Sequence, residues 1–262
     1  MMEEDIIIKI RDLYMIFGTK QVLKGINLDI HKGEIIGYIG PNGAGKSTTV
    51  KIMLGLLRDY KGSVEIFGED ILKGNGEYKK HIGYVPELSE LYDSLTGKEY
   101  LTFVGELYGI EYNTALYKSR QLMKILGMDN AFNSRILTYS KGMRQKILLI
   151  ASLIHDPDIL FLDEPLSGLD ANSVMIIKEI LANLAAQGKT IFYSSHIMDV
   201  VEKISSRILL LNNGVIAADG TFEELKEKSH EGSLESIFNE FTGFTEHKEI
   251  AEQFTSIIQG VN

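Results

Sequence analysis

Residues 40–48 read Gly40-Pro41-Asn42-Gly43-Ala44-Gly45-Lys46-Ser47-Thr48, between the apolar run Ile35–Ile39 and a segment where Val50, Met53, Leu54 and Leu57 recur at helical spacing. Buried strand, glycine-rich loop, Lys-Ser and helix in that order admit few folds, because together they make a βα unit built around phosphate. Glycines let successive backbone N–H groups face one concavity, and the positive end of the following helix points into it. Lys46 adds a point charge for the β- and γ-phosphates of a nucleotide. Ser47 adds a hydroxyl for Mg2+, a hard ion that takes oxygen ligands. A flexible turn would account for the glycines, but not for the Lys-Ser pair and the helix after it.

Other short β-branched runs, at Ile6–Ile10, Val22–Ile30, Glu34–Ile39, Ile82–Val85, Ile159–Leu162, Thr190–Tyr193 and Ile208–Leu211, are expected to be strands, most of them buried. Helix-period segments between them imply a layered α/β sheet with a RecA-like P-loop NTPase core and an antiparallel edge near the N-terminus. From Leu88 to Leu137 the rhythm breaks. Helix-like stretches at Tyr100–Leu107 and Leu116–Leu126 with no buried strand predict an inserted helical subdomain. Val215–Ala218 closes a hairpin on an Asn213-Gly214 turn, after which the chain reads as charged and helical through Asn262, with Leu234, Ile237, Phe238 and Phe241 on one helix face. The expected boundaries are a nucleotide-binding domain at 1–222, its helical subdomain at about 88–145, and a helical extension at 223–262.

A chain of 262 residues, 44% apolar, can bury a full core, while a formal charge of -9 gives no basic field for a phosphate backbone, so nucleic acid is not expected as a partner. The absence of cysteine excludes disulfides and thiolate metal sites. The acidic start Met1–Asp5 lacks the basic region of an export signal, and the longest apolar stretch, Ile147–Ile154, falls short of the roughly 20 residues that span a bilayer. Any membrane contact is therefore expected through a protein partner, from the cytoplasmic side.

The run Ile159–Leu162 ends in Asp163-Glu164, which puts two carboxylates at the carboxyl edge of the sheet, where α/β ligand crevices lie. Asp163 suits Mg2+, through water, and Glu164 suits polarising the water that attacks a γ-phosphate. Tyr139-Ser140-Lys141-Gly142-Met143-Arg144-Gln145 precedes a long apolar helix and makes a second anion-binding helix start. The ordered set of phosphate loop, this segment, Asp163-Glu164, Ser167-Gly168-Leu169-Asp170 and Ser195-His196 resembles the nucleotide-binding domain of ATP-binding cassette (ABC) ATPases over roughly Ile6 to Phe222.

That resemblance implies a set of roles. Ser140, Lys141 and Gly142 belong to a signature loop that contacts the γ-phosphate held by the opposite subunit, so two ATP molecules are sandwiched between two domains, in a homodimer or with a paired ABC domain. Asp170 belongs to the loop along the dimer seam, and His196 is the switch histidine acting with Glu164 and Lys46. Phe17 matches the aromatic that stacks on adenine, with Tyr14 as the alternative stacker or a core residue. Two positions depart from the family pattern. Glu87 stands where a Gln is usual; a carboxylate binds Mg2+ more strongly but repels phosphate when the metal is absent. Lys141 replaces a usual glycine, and either strengthens ATP binding across the dimer or points to solvent.

The expected function is that of the ATP-hydrolysing subunit of a bacterial ABC transporter on the inner face of the cell membrane. It resembles the stand-alone subunits of drug, antibiotic and peptide exporters and works through a separate transmembrane permease. An importer ATPase and a soluble ATPase of a cytosolic assembly, of the iron-sulfur scaffold type, are the alternatives. Within Leu88–Tyr108, the segment expected to meet the permease, Leu91, Tyr92 and Tyr100 are either exposed anchors or packed inside the subdomain.

Overall fold

The computed structural model describes residues 5–88, 90–229, 232–243 and 247–259, with no side chains described for 247–249. The start Met1–Glu4 and the end Gly260–Asn262 of the expected helical tail lie outside the described residues, as do Ser89, 230–231 and 244–246.

The N-terminal half of the sheet structure is antiparallel. Strands β1 (Ile6–Phe17) and β2 (Lys20–His31) pair as a long hairpin, and β4 (Lys61–Ile66) and β5 (Glu69–Asp70) complete a four-stranded sheet in the order β2-β1-β4-β5. Alternation drives it, since Ile8 and Ile10 on β1 and Ile26, Leu28 and Ile30 on β2 all point into the core. β4 and β5 answer to no expectation from the sequence, because Val64 and Ile66 make too short an alternation to stand out.

The second sheet has six strands in the order β10-β9-β3-β8-β7-β6. Here β3 is Ile35–Ile39, β6 Ile82–Val85, β7 Ile159–Asp163, β8 Thr190–Ser194, β9 Arg207–Asn212 and β10 Val215–Gly220. All pairs are parallel except β9 with β10. That hairpin turns where expected, with Asn213 and Gly214 both at positive φ (48° and 84°), as a two-residue turn of this hand requires. β3 and β8 are buried at every position, which explains why both read as unbroken apolar runs. The chain has the P-loop NTPase fold, with an antiparallel β portion and a helical insertion.

The insertion holds α2 (Gly97–Leu107), closed at its start by a reciprocal Thr96–Glu99 capping box, and α3 (Tyr112–Ile125). α4 (Lys141–Leu153) joins the two bodies: Ile147, Ile150 and Ala151 pack with Leu101, Met123 and Ile136 of the insertion, and Leu148 and Leu149 pack on the sheet. Tyr100 is buried in that helical core, Leu91 is half-buried, and Tyr92 stays 63% exposed with its ring against Tyr100 and Phe103.

The remaining helices are α5 (Ala171–Ala186), α6 (Met198–Ile204), α7 (Phe222–Ser229), α8 (Leu234–Thr242) and α9 (His247–Gln259). Leu225, Leu234 and Ile237 are fully buried in the cluster that contains Val201, Ile208 and Leu210, and Asn212 Nδ2 donates to the Phe241 carbonyl at 3.0 Å. α7 and α8 thus close the main core, whereas α9 leaves Ile250, Phe254, Ile257 and Ile258 exposed. Ile237→Ala is expected to cost about 2–4 kcal/mol in denaturant unfolding and Ile258→Ala no more than about 0.5 kcal/mol. Equal small losses would show that α8 does not belong to the core.

Candidate nucleotide site

β3 delivers residue 40 at the carboxyl edge of the parallel sheet, and α1 (Lys46–Met53) starts six residues later. At φ 157°, Gly40 lies so close to the Leu211 carbonyl of β9 that a Cβ there would collide with it. Gly45 caps α1 in the left-handed region (φ 114°) with no side chain over the helix start, so the first amides of α1 stay available to a ligand. Lys46 Nζ rests on the loop's own carbonyls, 2.5 Å from Gly40 O and 3.3 Å from Pro41 O. Thr49 ties the helix back to Gly45 O at 3.1 Å and accepts from the buried Tyr38 hydroxyl.

A cavity of about 520 Å3 opens over this loop. The loop residues 42–48, the polar side chains of Glu87, Asp163, Glu164 and His196, and Phe17 line it. Of the two aromatics weighed for stacking, Phe17 lines the cavity; Tyr14 instead lays its hydroxyl over Gly25, where a Cβ would come within 2.7 Å. Lys20, Val22 and Ser194 also line it and were not singled out from the sequence. Ser194 is the last residue of β8 and pairs with Asp163 across the sheet, a relation that exists only once strands 159–163 and 190–194 are neighbours.

The electrostatics ask for a cation. Burial pushes the Lys46 ammonium below the ordinary lysine range, opposed by Asp163, Glu164 and Glu87. Burial also pushes the Asp163 carboxyl up; the Glu87 charge adds to this, and a Ser194 hydrogen bond and Lys46 oppose it. Ser47, Asp163 and Glu87 therefore offer hard oxygen donors in a place short of positive charge, a set that fits Mg2+. Among the described residues no group of three or more His, Asp or Glu is placed to hold a metal alone, so such an ion takes the rest of its shell from phosphate oxygens and water.

Glu164 is held from two directions. Ser195 Oγ donates to Oε2 at 3.2 Å and the His196 amide to Oε1 at 2.7 Å, with His196 Nε2 3.8 Å from Oε1. Its backbone adopts φ 49°, an uncommon conformation for a side-chain-bearing residue, and its own N–H bonds the Ser194 carbonyl at 3.0 Å. The carboxylate is fixed beside the phosphate loop, as a group that orients an attacking water must be.

Ser140, Lys141, Gly142 and Asp170 stand elsewhere: none of them lines the cavity. Ser140 caps α4 by accepting from the Met143 amide at 3.3 Å, and Asp170 caps α5 by accepting from the Ser173 amide at 3.0 Å. The two helix starts touch, for a Cβ on Gly142 would lie 2.8 Å from the Gly168 carbonyl, and the Lys141 stem packs over Gly168. The site residues read from the sequence thus form two groups, one around Lys46 and one around Gly142.

Residues 23–167 match the family described as ABC transporter. The chain is 37% identical over 219 residues to the ABC transporter ATP-binding protein NatA of Bacillus subtilis, covering 83% of this chain and 89% of that protein. It is 36% identical over 222 residues to a fluoroquinolones export ATP-binding protein of Mycobacterium tuberculosis, covering 84% of this chain and 72% of that one. Its fold superimposes with a TM-score of 0.83 on a solved ATP-binding subunit of an ABC transporter, at 28% identity over 90% of this chain and 99% of that one.

Proposed function

The chain belongs to the ABC transporter family as an ATP-binding, ATP-hydrolysing subunit, and from that premise we propose that it powers export through a separate transmembrane permease, by closing on a second ABC domain around ATP. One observation supports the dimer: Lys46, for the γ-phosphate, and Glu164, for the attacking water, share a cavity that the second helix start, Ser140 to Gly142, does not line. Each group is half a site, and two copies supply two complete ones.

In this reading Lys46 leaves the Gly40 and Pro41 carbonyls for the β- and γ-phosphates, and the α1 amides hold the phosphate oxygens. Glu164, steadied by Ser195 and the His196 amide, takes the proton of the attacking water, and His196 turns its imidazole to the γ-phosphate. Bound Mg2+, held by Ser47, Asp163 and Glu87, supplies charge neutralisation to the phosphates. Loss of the γ-phosphate removes the charge that both half-sites grip, and the pair opens.

The mycobacterial relative, a fluoroquinolones export ATP-binding protein, supports export as the direction. Among the described residues no helix is long and apolar enough to cross a membrane, which fits a spanning partner on another chain. Tyr92 and the neighbouring Phe103 and Leu107, exposed on the helical insertion, fit the permease contact. The test is stoichiometric co-purification of the tagged chain from detergent extracts with an integral membrane protein that stimulates its ATPase. Capture in a soluble assembly alone would favour the cytosolic reading.

Glu87 gives a sharper expectation at the metal. Glu87→Gln removes one negative charge beside Asp163 and Lys46, and the Mg2+ concentration for half-maximal ATPase activity is expected to rise by about three- to tenfold with hydrolysis retained. Superimposable Mg2+ titrations would refute it.

A further inference from the structure

Past the C-terminal end of α1, the chain turns at Gly55 (φ 66°) and builds a second cavity, of about 220 Å3, outside the nucleotide site. Gly55, Arg58, Asn75, Gly76, Tyr78 and Lys79 line it. Tyr78 is 4% exposed, and its hydroxyl is buried without a hydrogen-bond partner among the described residues. A donor in that position is costly to bury unless something accepts from it. The Tyr78 hydroxyl and the Lys79 ammonium converge over Gly55: a Cβ built there would lie 2.5 Å from the first and 3.0 Å from the second. Any side chain at 55 would fill the space where they meet.

Arg58, Lys73, Lys79 and Lys80 share the segments around the cavity with Asp59, Glu69, Asp70 and Glu77. Asp70 is paired with Lys73 at 2.8 Å and Glu77 with Lys80 at 2.6 Å. Arg58 and Lys79 have no carboxylate partner among the described residues, although Asp59 follows Arg58 in sequence and Glu69 lies against Gly74 at the cavity edge. Burial pushes the Tyr78 phenol up from its ordinary range, and Arg58 is near enough for its charge to oppose this.

We propose that this cavity binds a phosphate-type oxyanion, as free phosphate or as a phosphomonoester, with Arg58 and Lys79 supplying charge and the Tyr78 hydroxyl donating from the floor. A guanidinium presents paired donors to phosphate oxygens and an ammonium a compact charge, and charge-assisted hydrogen bonds of this kind are the strong ones. The place has a structural consequence. α1 runs from this cavity back to Lys46, and the 3-10 turn Glu77–His81 leads into β6 and on to Glu87, so both elements that bound the site end at the nucleotide.

Equilibrium dialysis with radiolabelled inorganic phosphate tests this on the full chain saturated with Mg2+ and a non-hydrolysable ATP analogue, which occupies the phosphate loop. The expected result is one phosphate per chain, bound at least about tenfold more weakly by the Arg58→Gln/Lys79→Gln double variant and about threefold more weakly by Tyr78→Phe, with analogue affinity unchanged. Competition by glycerol 3-phosphate assigns a phosphomonoester, soluble or lipid-borne, and its failure to compete assigns the free ion. Lys46→Ala, which disables the nucleotide site, is expected to leave this binding intact, so the two sites fail independently. No phosphate retained beyond the nucleotide site, or an affinity indifferent to both sets of substitutions in chains that still melt like the parent, would overturn the proposal.

Discussion

Glu164→Gln is expected to cut ATP turnover at least about a hundredfold while leaving ATP bound, and to hold the chain as a dimer in Mg-ATP. The substitution suits the local hydrogen bonds. The amide oxygen can still accept from the His196 N–H now 2.7 Å from Oε1, and Ser195, whose hydroxyl donates to Oε2 at 3.2 Å, can reverse its role and accept from the new amide group. Shape and position survive, and the capacity to take a proton from water is what goes. Rapid-quench turnover and light scattering with Mg-ATP measure the two parts. A variant that stays monomeric with ATP and turns over like the parent would remove Glu164 from the reaction.

Gly142→Ala carries the second large effect. Its Cβ would sit 2.8 Å from the Gly168 carbonyl, closer than a carbon approaches a backbone oxygen, so the start of α4 or the 167–170 loop must shift. In the proposed dimer both groups belong to the half-site offered to a partner's nucleotide, and a misplacement on the ångström scale at a reacting group costs on the order of a hundredfold in rate. Turnover is therefore expected to fall by about that factor, while a single chain's affinity for ATP changes by less than about twofold, because residues 140–142 do not line the cavity of their own chain. Loss of ATP binding by the isolated chain would mean that the signature loop serves its own nucleotide and that no partner is needed.

Much of this site could be read before any fold was known. Loops that bind phosphate are written in contiguous residues, since glycines, Lys46 and Ser47 act through the local path of the backbone from a strand into a helix. Asp163-Glu164 was equally legible, because a buried strand announces itself by an unbroken apolar run and the carboxylates come directly after it. Other residues left no such mark. Ser194 reads as the end of a strand, and its relation to Asp163 comes from strand pairing across some thirty residues of sequence. Phe17 was the family match for the stacking aromatic and Tyr14 the alternative, and the sequence could not show that Phe17 lines the cavity while Tyr14 packs over Gly25. Tyr100 shows the same limit, for a tyrosine on a short helix has the same composition whether it faces solvent or the buried side of α4.

The sequence by itself determined the chemistry of this protein and the order of its parts: a phosphate loop, an acidic strand end, a second anion-binding helix start and a histidine after a buried strand. These are local signals, set by backbone geometry and hydrophobic period over fewer than about twenty residues. Only the tertiary structure decided which of them meet. It brought Phe17, Lys46, Glu87, Glu164 and His196 to one cavity and kept Gly142 and Asp170 apart from it. It drew α7 and α8 into the main core, and it gathered Arg58, Tyr78 and Lys79 around one cavity. The physical reason is that such encounters depend on sheet order and on what each helix packs against, quantities that sum over the whole chain and that no short stretch of residues records.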